Sequence, residues 1–183
     1  MGFMQEIEVK ILEVDRKKIE AILIGLRAEK VFDGDIQTLF FDFQDGRIVS
    51  ARNVLRLRKE QDKVELTYKK VRFTQTTKTA EETSVDVSNL EAMRKILENL
   101  GLFIRESMEK HRVSYTLGDA RFDIDRYFGN YGFIPEFMEI EAENAESIYK
   151  NAELLGFKKE ECLPWSTVEL IQHYSRKQSK TEK

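Results

Sequence analysis

Carboxylates and cations recur in this chain at a spacing of two. Glu6, Glu8 and Lys10 stand in EIEVK, Arg56 and Arg58 in LRLR, Lys69 in LTYKK, Lys110 and Arg112 in EKHR, Asp123 and Asp125 in FDID, and Glu139 and Glu141 in MEIE. Residues two apart share one face of a β-strand, so each pair is expected side by side, with the alternate apolar residues on the opposite face. Two like charges about 7 Å apart repel by roughly 2 kcal/mol at an effective dielectric near 20. Such pairs cost stability away from water unless a ligand neutralises them. Acidic pairs suit a hard divalent cation, and Arg and Lys pairs suit phosphate oxygens. Together they describe a site for a metal–polyphosphate complex. Glu82, on the same face as Ser84, is a further candidate, although a one-residue slip would put Glu81 in its place.

The candidate residues lie in segments whose alternating pattern predicts strands near residues 4–12, 36–43, 54–60, 63–71, 81–87, 108–117, 120–126 and 137–143. Asp45-Gly46 and Gly118-Asp119 supply hairpin turn residues. Four helices are predicted. Residues 15–28 are capped by Asp15 and bury Ile19, Ile22, Leu23 and Leu26; residues 88–100 open on a Ser88/Glu91 capping box, bury Leu90, Met93, Leu97 and Leu100, and stop at Gly101. Residues 145–155 carry Ile148, Ala152 and Leu155 up to Gly156. Residues 167–177 follow a Ser166/Glu169 capping box and present Val168, Ile171 and Tyr174. A strand–helix–strand–strand rhythm occurs twice, from EIEVKI and from SVDVSN. The tail SRKQSKTEK is polar, and disorder is expected there.

A chain of 183 residues fits one domain with a core large enough to need no disulfide or structural metal, and the lone Cys162 can supply neither. The N-terminus lacks a signal sequence and no 18-residue apolar run occurs, so a cytoplasmic protein with no membrane partner is expected. The 30 basic and 33 acidic residues give a net charge of −3, which argues against general nucleic-acid binding. At the candidate positions six cations meet seven carboxylates. A triphosphate of about −4 with two divalent cations leaves such a set near balance, as buried charge requires.

In this order the motifs resemble those of the CYTH family, the triphosphate tunnel metalloenzymes, which include class IV adenylate cyclases, thiamine triphosphatases and inorganic triphosphatases. EIEVK is similar to the family's ExExK signature, and the later motifs follow in sequence to about Tyr174. The resemblance implies an α+β fold: a closed eight-stranded antiparallel β-barrel, or tunnel, with helices packed outside, forming a single domain over residues 1–176 with a polar tail at 177–183. It implies Mg²⁺ or Mn²⁺ on Glu6, Glu8, Asp123, Asp125, Glu139 and Glu141, and a small-molecule triphosphate on Lys10, Arg56, Arg58, Lys69, Lys110 and Arg112. Glu6, Glu8 and Lys10 are the catalytic candidates. A monomer or homodimer is expected. The chain departs from the family in PWST, which keeps only Ser166 of a Lys-Ser-Tyr motif, and in the long GNYGFIPEF segment before the last acidic strand.

The chemistry this implies is metal-dependent hydrolysis of a nucleoside, thiamine or inorganic triphosphate, with cyclisation of ATP to cyclic AMP and pyrophosphate as the alternative. A non-catalytic polyphosphate-binding module is a further alternative, disfavoured by the seven carboxylates. An RNA-binding sheet is disfavoured by the lack of aromatic residues on the charged faces. The remaining notable residues have plainer expectations. His111 and Trp165 are expected to pack, with stacking on a nucleotide base the alternative for Trp165, His173 and the Arg16-Lys17-Lys18 run to be solvated, Cys162 to be buried, and TQTTKTA to form a hairpin loop.

Overall fold

The computed structural model describes residues 7–73 and 78–181, with side chains for 7–70 and 81–178. Glu6 and residues 74–77 of the threonine-rich stretch lie outside the described residues. The strands are β1 (Ile7–Ile11), β2 (Glu29–Phe43), β3 (Val54–Glu60), β4 (Lys63–Phe73), β5 (Lys78–Val87), β6 (Leu102–Leu117), β7 (Ala120–Tyr127) and β8 (Phe137–Ala142). The α-helices are α1 (Arg16–Gly25), α2 (Arg47–Ser50), α3 (Leu90–Asn99), α4 (Ala145–Leu154) and α5 (Thr167–Thr181). The duplicated rhythm is present as β1-α1-β2-β3 and β5-α3-β6-β7, with α2 inserted in the first.

The strands hydrogen-bond in the order β1-β8-β7-β6-β2-β3-β4-β5. The expected closure into a barrel requires β1 to pair with β5, and no such pairing occurs among the described residues. The outer edge of β1 is taken instead. The Lys10 N–H donates to the Leu163 carbonyl at 2.7 Å, and the Leu163 N–H returns to the Lys10 carbonyl at 2.9 Å. A strand edge already bonded to another segment cannot accept a further strand at that residue.

The chain divides into two compact units, Met1–Gly34 with Lys110–Lys183, and Asp35–Glu109. In the first, Val9 and Ile11 of β1, Val113 of β6, Phe122 and Ile124 of β7, and Met138 and Ile140 of β8 form one apolar face. Ile19 and Leu23 of α1 and Ile148 and Ala152 of α4 belong to the same buried cluster. Each fully buried aliphatic side chain contributes about 1.5–3 kcal/mol. The residues between these positions are the charged candidates, so burying the apolar parity fixes the charged parity on the other face. The second unit repeats the logic. Leu39, Phe41, Ile48, Leu57, Val64 and Leu97 form its core.

The helix ends follow from local chemistry. Asp15 accepts the Lys18 N–H at 3.2 Å, and the Ser166/Glu169 box forms with the Ser166 N–H donating to Glu169 at 2.7 Å. Helix α3 starts one residue later than expected, so its cap is Asn89, which accepts the Ala92 N–H at 2.8 Å, and not Ser88. Gly101 and Gly156 end α3 and α4 at φ +88° and +87°, a conformation that glycine adopts without a Cβ penalty.

Other expectations are corrected. β2 and β6 begin earlier than expected, at Glu29 and Leu102, and β2 runs through Asp33-Gly34-Asp35. Leu100 and Val168 are 67% and 61% exposed; α5 buries Tyr174 as its spacing predicts, with Leu170 in place of Val168. Helix α5 also continues to Thr181 where disorder is expected: SRKQSK contains no helix breaker, and Lys177 is held by Glu13 at 2.9 Å. Gly46 does not turn a hairpin but leads at φ +65° into α2. That segment is organised by buried Asp42, whose carboxylate accepts the N–H groups of Phe43, Ile48 and Val49 at 2.8, 3.0 and 3.0 Å. No helix among the described residues is long and apolar enough to cross a membrane.

Candidate functional site

The register of the first unit brings its candidates onto one face. Lys10 lies opposite Glu139, Glu8 opposite Glu141, Asp123 opposite Glu139, and Arg112 opposite Asp125. Because the main chain of Lys10 bonds outward to Leu163, Lys10 and Glu139 form a non-hydrogen-bonded pair of the antiparallel ladder, in which side chains approach most closely. The Lys10 ammonium is fully buried, 2.7 Å from Glu8 and 2.9 Å from Glu139. Burial pulls its pKa down, but Glu139 and Glu8 more than offset that and hold it above the ordinary lysine value.

Arg112 is the hub. It meets Asp125 with two parallel bonds, from Nε at 2.7 Å and Nη2 at 2.5 Å; Nη2 also donates to Glu139 at 2.6 Å, and Nη1 to Asp123. The fixed fork of a guanidinium serves three carboxylates at once, which an ammonium could not do with the same geometry. Despite its burial, these acids hold the Arg112 pKa well above the usual value, Asp125 first, then Asp123 and Glu139. Lys110 donates to Asp125 at 2.7 Å. Burial pushes the Glu139 carboxyl up, but Lys110, Arg112 and Lys10 bring it down to about 2. Glu8, by contrast, is half exposed.

Three further participants belong to no like-charged pair. Arg121 donates to Asp123 at 2.9 Å and to the buried Ser114 hydroxyl at 3.0 Å. The Tyr127 ring lies 5.8 Å from the Lys110 ammonium, and burial raises its hydroxyl pKa. The signal was present in the sequence: Arg121 has the parity of Asp123 and Asp125, and Ser114 that of Lys110 and Arg112.

The second unit carries its own set. Arg56 lies opposite Thr67, Arg58 opposite Glu65, Thr67 opposite Ser84, and Lys69 opposite Glu82. Lys69 and Glu82 are ion-paired, which settles the face of Glu82. Arg58 reaches Glu60 at 3.7 Å and Glu65 at 3.8 Å. Buried Thr67 donates to Glu65 at 2.9 Å and lies 3.0 Å from the Ser84 hydroxyl.

His111 lies 3.1 Å from Asp33 rather than only packing, and His173, half-buried, also touches the Trp165 and Tyr174 rings. Cys162 is buried.

The first unit's acids are oxygen donors only, which suits a hard cation such as Mg²⁺ or Mn²⁺. Among the described residues, however, no three His, Cys, Asp or Glu side chains are already grouped to hold a metal ion. The carboxylates close on Lys10, Lys110 and Arg112 instead. Their oxygens fit a metal in kind, and would turn to one if phosphate oxygens replaced them on those cations.

Comparison with known proteins agrees with the motif order. The family model described as the CYTH domain matches residues 4–156. A Methanocaldococcus jannaschii protein named "Putative adenylate cyclase MJ0240" is 30% identical over 141 residues, covering 75% of this chain and 77% of its own length. Among solved structures, a Pyrococcus horikoshii OT3 protein aligns with a TM-score of 0.71 at 24% identity, over 91% of this chain and 99% of that one. A Hippeastrum protein described with a dominant triphosphatase activity aligns at 0.64 with 18% identity, over 92% and 96% of the two chains. At these identities the structural matches establish a shared fold.

Proposed function

The chain belongs to the CYTH domain family, and from that premise we propose that it is a divalent-metal-dependent enzyme that cleaves a triphosphate, by hydrolysis at the terminal phosphorus. The observation that carries this reading is the fully buried Lys10 beside the Arg112 hub, on a sheet face where every cation is already matched by a carboxylate. A protein gains nothing in stability from such a buried set over well-packed apolar residues, so its retention points to a ligand.

Phosphate oxygens compete for the same donors. As they bind Lys10, Lys110 and Arg112, the displaced Glu8, Asp123, Asp125 and Glu139, with Glu141 opposite Glu8 on the ladder, become the residues that would hold the cation. When bound, that cation neutralises phosphate charge and makes a coordinated water a better nucleophile. Arg112 and the lysines stabilise the charge that grows on the transferring phosphoryl oxygens, and no covalent intermediate is needed. Arg56, Arg58 and Lys69 in the second unit present cations suited to the same kind of group.

Cyclisation of ATP is the second reading, favoured by the name of the Methanocaldococcus jannaschii relative. Product analysis decides between them. ATP, thiamine triphosphate and inorganic triphosphate are incubated with the protein and Mg²⁺ or Mn²⁺. Free phosphate with a diphosphate supports hydrolysis, cyclic AMP with pyrophosphate supports cyclisation, and metal-independent binding without turnover of any of the three refutes both.

A further inference from the structure

The segment between β8's unit core and the C-terminus holds a feature outside the charged face. A cavity of about 510 Å³ is lined by Trp165, Glu169, Gln172, His173, Arg176 and Lys177. Its size falls in the range of small-molecule sites. One wall is aromatic and already ordered. The Trp165 and His173 rings lie 5.0 Å apart, tilted by 50°, and His173 meets Tyr174 edge-on at 4.9 Å. Tyr174 is buried and its hydroxyl donates to Glu13 at 3.0 Å; Lys177 reaches the same carboxylate at 2.9 Å. The turn that carries Trp165 into α5 is fixed by the Ser166 N–H and hydroxyl, which donate to Glu169 at 2.7 and 2.9 Å. A preordered aromatic wall gives up little entropy when a ring stacks on it.

We propose that this cavity takes the planar nitrogen heterocycle of an organic triphosphate, with Trp165 and His173 as the stacking surface and the Gln172 amide meeting the ring edge. Arg176 adds a cation at the rim, while Lys177 is already held by Glu13 and Glu169 supplies an acid. The inference rests on the triphosphate reading and deepens it, because it makes an organic triphosphate a better substrate than inorganic triphosphate. The two places are joined through the backbone. Leu163 pairs with Lys10, and Trp165 lies only two residues further on, about 7 Å of extended chain. Base stacking on aromatic side chains is tolerant of ring identity, so a purine and the thiamine ring are both admitted by this chemistry.

Trp165 is the only tryptophan in the chain, so its fluorescence reports on this wall alone. The full-length protein is titrated with adenosine, ATP, thiamine, thiamine triphosphate and tripolyphosphate. The expected result is a change in Trp165 emission with at least one heterocycle, whether or not phosphate is attached, and none with tripolyphosphate. Adenosine and ATP acting together identify a purine; thiamine and its triphosphate identify the other ring. In steady-state kinetics, His173→Ala should raise KM for the organic triphosphate about tenfold more than for tripolyphosphate, and Trp165→Phe should keep most of the preference. Silence to every heterocycle, or equal KM changes for organic and inorganic substrates, overturns the proposal. If no triphosphate is turned over, the enzymatic reading fails on its own, and the adenosine and thiamine titrations still decide the cavity.

Discussion

Lys10 and Glu139 face each other across the β1–β8 ladder with ammonium and carboxylate 2.9 Å apart, the lysine fully buried and the acid partly so, with 15% of its side chain exposed. Glu139 in turn touches Arg112, so one carboxylate couples the two cations that the proposed chemistry needs most.

Removing the lysine should therefore cost more than a surface ion pair. Lys10→Ala leaves Glu139 to Arg112 and Lys110, takes the partner from Glu8, and opens a cavity. Loss of one partner from a buried pair costs about 3–5 kcal/mol. Urea unfolding should show a destabilisation of about 3 kcal/mol, together with loss of triphosphate turnover. A change below 1 kcal/mol would place Lys10 in water.

Acid should expose the same coupling. The Glu139 pKa is about 2 in the folded protein against an ordinary 4.5, so the unfolded chain takes up the proton first. The stabilisation is complete above pH 4.5 and is lost as pH falls toward 2. Glu139→Gln should flatten that part of the stability profile, measured by denaturant unfolding at a series of pH values. An unchanged acid limb in the variant would contradict the assignment.

Arg112→Lys keeps the charge and loses the fork. One ammonium cannot reproduce the parallel bonds to Asp125 together with those to Asp123 and Glu139. The variant should fold, by its far-UV circular dichroism, and lose at least about tenfold in kcat/KM. Wild-type kinetics would show that only net charge matters here.

Arg56→Ala and Arg58→Ala probe the second unit. If these cations meet phosphate oxygens, KM for a triphosphate should rise by about tenfold in each, with a weaker dependence on salt than the wild type. Full activity in both would restrict phosphate binding to the first unit.

Asp42→Ala tests a residue with a purely architectural part. Its carboxylate serves three backbone N–H groups, and bonds to a charged acceptor are worth about 1.5–3 kcal/mol each. Thermal unfolding should show a loss of about 2 kcal/mol or more, with Asp42→Asn intermediate.

The charged face could be read from the sequence because strand parity is local: knowing that Ile124 and Met138 are buried is enough to place Asp123, Asp125 and Glu139. Arg121 was equally accessible and was missed only because it belongs to no like-charged pair. Other features depend on residues far apart in the chain. Nothing around Lys10 announces that Leu163 will occupy its strand edge, and nothing around Asp42 shows that its carboxylate will cap α2. The extra length of β2 runs through Asp33-Gly34-Asp35, residue types of low strand propensity whose preference tertiary context overrides. The continuation of α5 past Ser175 likewise rests on a tertiary contact, Lys177 with Glu13.

The backbone bridge between Lys10 and Leu163 has a kinetic consequence. The amide of Lys10 is bonded to a segment that follows every named strand in the sequence, so its hydrogen-exchange rate is a clock for the detachment of that segment. A single amide thus reports whether the C-terminal part of the chain is docked, independently of any reaction at the side chain it carries.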